Sequence, residues 1–209
     1  MERLAQKNIN TGEEYDRIYY EREKRLPDDQ DVRRWKRLIK PFKGGSVIDL
    51  GCLDSRIFPL LKKRIPYTEF KYTGVDIAEK AILEMQKRYA GDEAEFRVVD
   101  IYDTKEPDGK YDYAVLGEVI EHMEEPEKVV KEAMRILRKG GTLALSTPHN
   151  EAVEPGAVDG ERHLWSFTRD DIMELLKPYG SVKLAILGSQ HFPKYVYHFP
   201  TIIAFCQKQ

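Results

Sequence analysis

Hydrophobic residues in this chain come in short bursts, and the spacing within each burst changes along the sequence. Between Asp29 and Lys40, Val32, Trp35, Leu38 and Ile39 recur at helical intervals, and Pro41 with Gly44 and Gly45 ends the pattern, which predicts a helix. Ser46 to Leu50 is instead a nearly continuous apolar run leading into a glycine, as expected of a strand buried on both faces. From there the predicted elements alternate: strand 46–50, helix 56–64, strand 70–75, helix 78–89, strand 95–99, strand 111–116, helix 126–138 and strand 142–147. Pro126 suits a first helical turn, Val129, Val130, Ala133, Met134 and Leu137 form the buried stripe, and Gly140-Gly141 is the expected stop. Thr168 is the expected N-cap of a further helix, 168–177, and strands near 181–187 and 200–207 close the chain as an antiparallel hairpin or edge pair.

Alternation of this kind predicts an α/β fold, a mostly parallel sheet with helices on both faces. At 209 residues it predicts one domain, with 1–43 as an N-terminal arm and helix and 44–209 as the core. Residues 1–28 are polar and charged, with Tyr15, Tyr19 and Tyr20 interleaved, and read as a loose arm or a short lid helix.

Charge narrows the partners. Lys and Arg total 34 against 36 Asp and Glu, a net charge of −2, so the chain lacks the basic excess of a nucleic-acid wrapper and no DNA partner is expected. The basic runs Arg33-Arg34, Lys36-Arg37, Lys40 and Lys43, with Lys62-Lys63-Arg64, read either as a solvated helix face or as a local phosphate contact. Cys52 and Cys206 lack metal-type spacing, no signal peptide is visible, and the apolar run Thr201 to Cys206 is too short to span a bilayer. A reduced, cytoplasmic setting without membrane insertion is the expectation.

Candidate chemistry begins at Ser46-Val47-Ile48-Asp49-Leu50-Gly51-Cys52, where an apolar run ends in Asp-x-Gly; such a turn exposes backbone amides to a nucleotide-type ligand. Tyr72-Thr73-Gly74-Val75-Asp76 is a second strand ending in an acid, placed to accept ribose hydroxyls. Taken singly, Asp76 and Asp100 are equally well explained as helix caps; in order at strand ends they favour a ligand.

With Tyr111-Asp112-Tyr113-Ala114-Val115-Leu116-Gly117-Glu118-Val119-Ile120-Glu121-His122, then Pro126 and Arg138-Lys139-Gly140-Gly141, the chain resembles the class I S-adenosylmethionine-dependent methyltransferases over about residues 44–190. The resemblance implies a Rossmann-like seven-stranded sheet with an antiparallel last strand, and S-adenosylmethionine as cofactor. It further implies that the turn Gly51, Cys52, Leu53 to Ser55 passes under the methionine part, with Asp49 orienting it. Asp76 would hold the ribose and Ile77 pack on the adenine, Asp100 and Ile101 would flank the adenine amino group, and Gly117 with Glu118 would border the methyl group. Leu53 and Ser55 stand where that family usually has glycine, and their Cβ atoms predict weaker or altered cofactor binding. Ser55 is expected to cap the next helix, with Pro59 in its early turns.

Glu118, Glu121 and His122 fall at i, i+3 and i+4, so a helical segment would bring them to one face. His163, in Arg162-His163-Leu164-Trp165-Ser166-Phe167-Thr168, is similar to the corresponding segment of small-RNA 3′-terminal 2′-O-methyltransferases, and the E-x-x-E-H wording also resembles ubiquinone-type O-methyltransferases. That resemblance implies Glu118, Glu121, His122 and His163 as ligands of Mg²⁺ or Mn²⁺, which would acidify an acceptor hydroxyl. The alternatives are a structural turn, or catalysis without metal by Glu118 and a histidine base, His122, His149 or His163.

Acceptor recognition is expected in the arm, in the segment after Pro148 and in the ring-rich stretch Gln190 to Phe199. Those rings either wall an apolar acceptor pocket or pack a connection onto the sheet. Tyr15 and Tyr19 either close over the cofactor or anchor the arm. Three readings follow: O-methylation of a small-molecule acceptor, methylation of an RNA end, or an inactive cofactor-binding protein.

Overall fold

The computed structural model describes residues 1–5, 7–23, 29–151, 162–188 and 200–209. The ring-rich stretch 190–199 lies outside them, as does most of the segment after Asn150. In chain order the elements are β1 (Glu2–Arg3), α1 (Gly12–Glu23), α2 (Asp29–Ile39), β2 (Gly45–Leu50), α3 (Ile57–Arg64), β3 (Phe70–Asp76), α4 (Glu79–Arg88), β4 (Ala94–Val98), β5 (Tyr111–Gly117), α5 (Pro126–Ile136), β6 (Leu137–Pro148), β7 (Trp165–Ser166), α6 (Arg169–Leu176), β8 (Gly180–Leu187) and β9 (Thr201–Lys208). Among these residues no helix is long and apolar enough to cross a membrane.

Seven strands form one sheet in the order β4-β3-β2-β5-β6-β9-β8. Neighbours from β4 to β6 are parallel, and β9 runs antiparallel to both β6 and β8. The final pair is the expected hairpin, but β9 inserts beside β6 and leaves β8 at the edge. Reversal at β2, the turning point of strand order, opens the carboxyl ends of β2, β3 and β5 to a ligand. Val47, Ile48 and Leu50 are buried because both faces of β2 are covered. One face carries Trp35, Leu38, Phe58 and Met85 from α2, α3 and α4. The other carries Val129, Val130, Ala133 and Ile172 from α5 and α6.

Two boundaries depart from expectation. The helix expected to 138 ends at Ile136, and β6 starts at Leu137, well before Gly140-Gly141. Leu137 is fully buried and pairs with Tyr111, after which the register shifts before Tyr113 pairs with Thr142. Sheet pairing across a bulge therefore takes residues whose local pattern reads as helix end. Gly141 sits in that bulge, where a Cβ would lie 2.9 Å from the Arg138 carbonyl.

The N-terminal region is a helix, α1, docked through fully buried Tyr19. Asp16 of α1 accepts the amides of Lys80 (2.8 Å) and Ala81 (3.2 Å). The α4 N-cap, Ala78, has no capping side chain, so an acid from another helix supplies what its own sequence lacks. Thr168 caps α6 as expected, in a reciprocal capping box with Asp171. At the other end of the arm, β1 pairs antiparallel with β7, next to His163.

Candidate functional site

Two turns meet at the carboxyl edge of the sheet. The first follows β2. Gly51 has φ 76°, and a Cβ there would sit 2.8 Å from Val119 Cγ2, so the turn needs both the freedom and the small size of glycine. Leu53 (φ 39°) and Ser55 (φ 51°) also occupy the left-handed region, the conformation that glycine would adopt without strain. Side chains hold them there. Leu53 N–H donates to Asp76 Oδ2 at 2.9 Å, Ser55 N–H to the Cys52 carbonyl at 2.7 Å, and Gly51 and Cys52 N–H to the Val75 carbonyl. Ser55 Oγ meets Tyr72 Oη at 2.9 Å, and Tyr72 donates to Asp49 Oδ2 at 2.7 Å. Ser55 thus does not cap α3 as expected: its hydroxyl turns inward to the Tyr72–Asp49 pair, while α3 begins after Arg56 without a side-chain cap. Pro59 does lie in the first turn.

Burial raises the Asp49 carboxyl to about 7, against the opposing hydrogen bond from Tyr72 and with the negative charge of Asp76 adding to the rise. Asp76 is also raised by burial, opposed by the amides of Ala78, Leu53 and Ile77. Its two oxygens accept from Leu53 and Ala78, so the expected ribose acid also braces both neighbouring turns. Ile77 next to it is 36% exposed, whereas Ile101 is buried. Asp100 is exposed and accepts the Tyr102 amide at 2.9 Å within a turn; no helix lies between β4 and β5, so it does not cap one.

The second turn follows β5 and Gly117. Glu118 takes φ 59°, and its Oε2 lies 3.0 Å from Arg34 Nη1. Ile120–His122 then forms a short 3-10 turn. Because Glu118 precedes that turn in a left-handed conformation, the helical face expected for Glu118, Glu121 and His122 does not form. Among the described residues, metal-ligating atoms of Glu121, His122 and His163 lie within 4.8 Å of one another, and Glu118 is outside this set. His149 is not in it either.

Glu121 is fully buried; Oε2 accepts from Thr147 Oγ1 at 3.0 Å, and Oε1 has no hydrogen-bond partner, His122 Nε2 standing 4.0 Å away. Burial and the Glu118 charge raise its carboxyl to about 8, with His163 opposing. His122 Nδ1 meets the Arg162 carbonyl at 3.0 Å, and His163 Nδ1 meets Glu151 Oε2 at 2.5 Å. The two rings are 4.6 Å apart, edge to face. Burial lowers the His163 pKa, but its hydrogen bond to Glu151 and the charges of Glu121, Glu151 and Glu118 outweigh this and raise it to about 9.

Several further residues join the site from outside the quoted motifs. Asn10 donates to the carbonyls of His122 (3.1 Å) and Arg162 (2.9 Å), tying the two histidine segments together, and accepts from Tyr15 Oη at 2.9 Å. Tyr15 stands edge-on to His122, with ring centroids 6.0 Å apart. Burial, then the Asp76 and Glu121 charges, push its hydroxyl far above the ordinary range. Tyr15 thus roofs the second turn, while Tyr19 anchors the helix. Thr147, Glu151 and Arg34 complete the set; only the folded chain brings them here.

Residues 48–145 match a family described as a methyltransferase domain. A probable S-adenosylmethionine-dependent methyltransferase of Mycobacterium tuberculosis is 30% identical over 162 residues, covering 77% of this chain and 57% of that protein. A ubiquinone biosynthesis O-methyltransferase of Bordetella avium is 28% identical over 113 residues, 53% of this chain and 45% of that protein. The chain thus spans less than two thirds of the length of these curated relatives. A solved structure, the Burkholderia thailandensis 1,6-didemethyltoxoflavin-N1-methyltransferase with bound 1,6-didemethyltoxoflavin and S-adenosylhomocysteine, aligns with TM-score 0.70 at 16% identity, covering 95% of this chain and 87% of that one. At that identity the likeness speaks to fold alone.

Proposed function

We propose that the chain is a class I S-adenosylmethionine-dependent methyltransferase and that it transfers a methyl group from S-adenosylmethionine to an oxygen of a small molecule. Its residues fit the cofactor: the Gly51 turn, Asp76, Ile77 and Asp100 stand in order at the carboxyl ends of β2, β3 and β4, where such sheets take ligands. S-adenosylmethionine supplies, when bound, a methyl group already activated on a sulfonium.

One observation carries the choice of oxygen as acceptor: the cluster of buried Glu121 with half-buried His122 and His163 beside the end of β5. A hydroxyl acceptor has to lose its proton, and this cluster holds groups able to receive one. Glu121 Oε1 is the atom assigned here, a carboxylate oxygen without a hydrogen-bond partner and more basic than usual. Thr147 fixes the other oxygen, and His163, held by Glu151, balances the charge. Asn10 and Tyr15 pack beside His122, Asn10 on its carbonyl and Tyr15 edge-on to its ring. The resemblance to the ubiquinone-type relative supports the same reading.

A second reading has its own observation. In both histidines Nδ1 is held from outside, by a carbonyl or a carboxylate, as in imidazoles that ligate a metal through Nε2. Glu121, His122 and His163 would then hold Mn²⁺ better than Mg²⁺, since two nitrogen donors suit Mg²⁺ poorly, and the cation would acidify an RNA 3′-terminal 2′-hydroxyl. The exposed Arg33, Lys36 and Arg37 on α2, with Lys40 just after it, supply phosphate contacts for that acceptor.

Methyl-labelled S-adenosylmethionine, offered with a panel of small hydroxylated aromatics and with short RNA, each with and without Mn²⁺, separates the readings. Label entering small molecules without added metal is the expected result. Label entering only RNA, and only with Mn²⁺, overturns it in favour of the second. Absence of S-adenosylhomocysteine binding by calorimetry removes both.

A further inference from the structure

Beside the proton-handling cluster lies a buried ion pair with unused hydrogen-bonding capacity. Arg34 is 8% exposed; its Nη1 meets Glu118 Oε2 and its Nη2 meets Asp31 Oδ1, each at 3.0 Å. Arg34 Nε and Glu118 Oε1 are also buried, and neither has a hydrogen-bond partner. A buried donor and a buried acceptor left unpaired within one ion pair are rare in folded proteins, since each has given up water without replacement. Glu118 is in addition a non-glycine residue with φ 59°, a conformation retained where the surroundings impose it, often at ligand sites.

The pair's position gives this a meaning. Glu118 stands between Gly117 and Val119, and Val119 packs where a Cβ on Gly51 would lie. Leu38, four residues after Arg34 on α2, lies against Gly117. Arg34 and Glu118 therefore border the meeting point of the two turns. The first turn has little left to offer a charged ligand there: the amides of Gly51, Cys52, Leu53 and Ser55 are all donated within the protein. Recognition of a charged group at this point falls to side chains.

We propose that Arg34 and Glu118 clamp the amino-acid end of S-adenosylmethionine, Arg34 Nε donating to its α-carboxylate and Glu118 Oε1 accepting from its α-ammonium. A zwitterion presents one anion and one cation on a single carbon, and the pair, joined through Arg34 Nη1 and Glu118 Oε2, keeps one open donor, Arg34 Nε, and one open acceptor, Glu118 Oε1. Asp31, paired with Arg34 Nη2, helps to orient the guanidinium. The clamp takes over the task that amides of a glycine-rich turn perform, and so offsets the presence of Leu53 and Ser55 where glycine is usual. The inference rests on the reading of the chain as an S-adenosylmethionine binder.

Calorimetry with two ligands tests it: S-adenosylhomocysteine, and 5′-methylthioadenosine, which lacks the amino-acid end. In Arg34→Met and in the nearly isosteric Glu118→Gln, affinity for S-adenosylhomocysteine falls at least about tenfold while that for 5′-methylthioadenosine is unchanged, the latter also certifying the fold. Unchanged affinities for both ligands, or an equal fall for both, overturn the clamp. If the unaltered protein binds 5′-methylthioadenosine as tightly as S-adenosylhomocysteine, the clamp fails while the cofactor reading stands. If it binds neither, the cofactor reading falls and the clamp with it.

Discussion

The turns after β2 and β5 touch each other, at Gly51 and Val119, yet they treat their polar groups in opposite ways. After β2, four amides, the Ser55 hydroxyl, Tyr72, Asp49 and Asp76 answer one another in a closed set of hydrogen bonds. After β5, Glu118 Oε1, Glu121 Oε1 and Arg34 Nε are buried and open, and so is Ser146 Oγ on β6. The first turn is complete without a ligand. The second retains polar groups that destabilise the free protein, the usual mark of a site kept for function at some expense of stability.

Asp76→Ala should strain that contrast most. It orphans the Leu53 and Ala78 amides, each worth about 1–3 kcal/mol when buried, so denaturant unfolding should show a loss of about 3 kcal/mol together with loss of cofactor binding. A loss of binding at unchanged stability would mean that the first turn is not the scaffold described.

Glu121→Gln should do the reverse. It removes a buried carboxylate with one open oxygen, so the melting temperature should hold or rise while methyl transfer falls about 100-fold. Destabilisation by more than about 1 kcal/mol would show that the second turn, too, is structural.

Asp49→Asn sharpens the comparison through pH. The unfolded chain releases the Asp49 proton near 3.8 and the folded protein near 7, so the folded state binds more protons between those values. Stability from this group is complete below about pH 4 and is lost as pH rises through 7, with a slope of at most about 1.4 kcal/mol per pH unit. Asp76, raised in the same direction, adds to the slope in both proteins, so the difference between them isolates Asp49. Melting temperatures measured from pH 5 to 8 should fall less steeply in the variant; parallel curves would exclude a buried, raised carboxyl there.

Ser55→Gly is expected to have the smallest effect. Relief of the left-handed backbone offsets the lost hydrogen bond to Tyr72, leaving a net change within about 1 kcal/mol in chemical denaturation. A larger loss would show that the hydroxyl, and not the backbone, holds the turn.

Much of this was legible in the residue pattern. The strands ending at Asp49-Leu50, Asp76 and Gly117 and the capped start of α6 could be read because burial and capping write local, periodic signals. The end of α5 could not, because the pairing of Leu137 with Tyr111 depends on a distant strand. The residue types of Glu121, His122 and His163 are visible in the sequence, but the spacing alone makes Glu118 their helical neighbour, whereas its φ of 59° breaks the face that the i, i+3, i+4 spacing implies. Asn10 and Glu151 had no signal at all, since single polar residues in polar segments resemble any solvated position, and Arg34 stood out only as one member of a basic run.

The sequence by itself determined the alternation of elements, the parallel sheet and the acids at its carboxyl edge, because each is set by neighbours within a few residues. Only the tertiary structure decided which turn is closed and which is open. Whether Leu53 and Ser55 spoil the first turn depends on Asp76 and Tyr72 reaching them from β3, and whether Glu118 is a metal ligand or Arg34's partner depends on how α2 lies across β5. Hydrogen bonds between residues far apart in the chain leave no periodic trace, so the fold has to be complete before they exist.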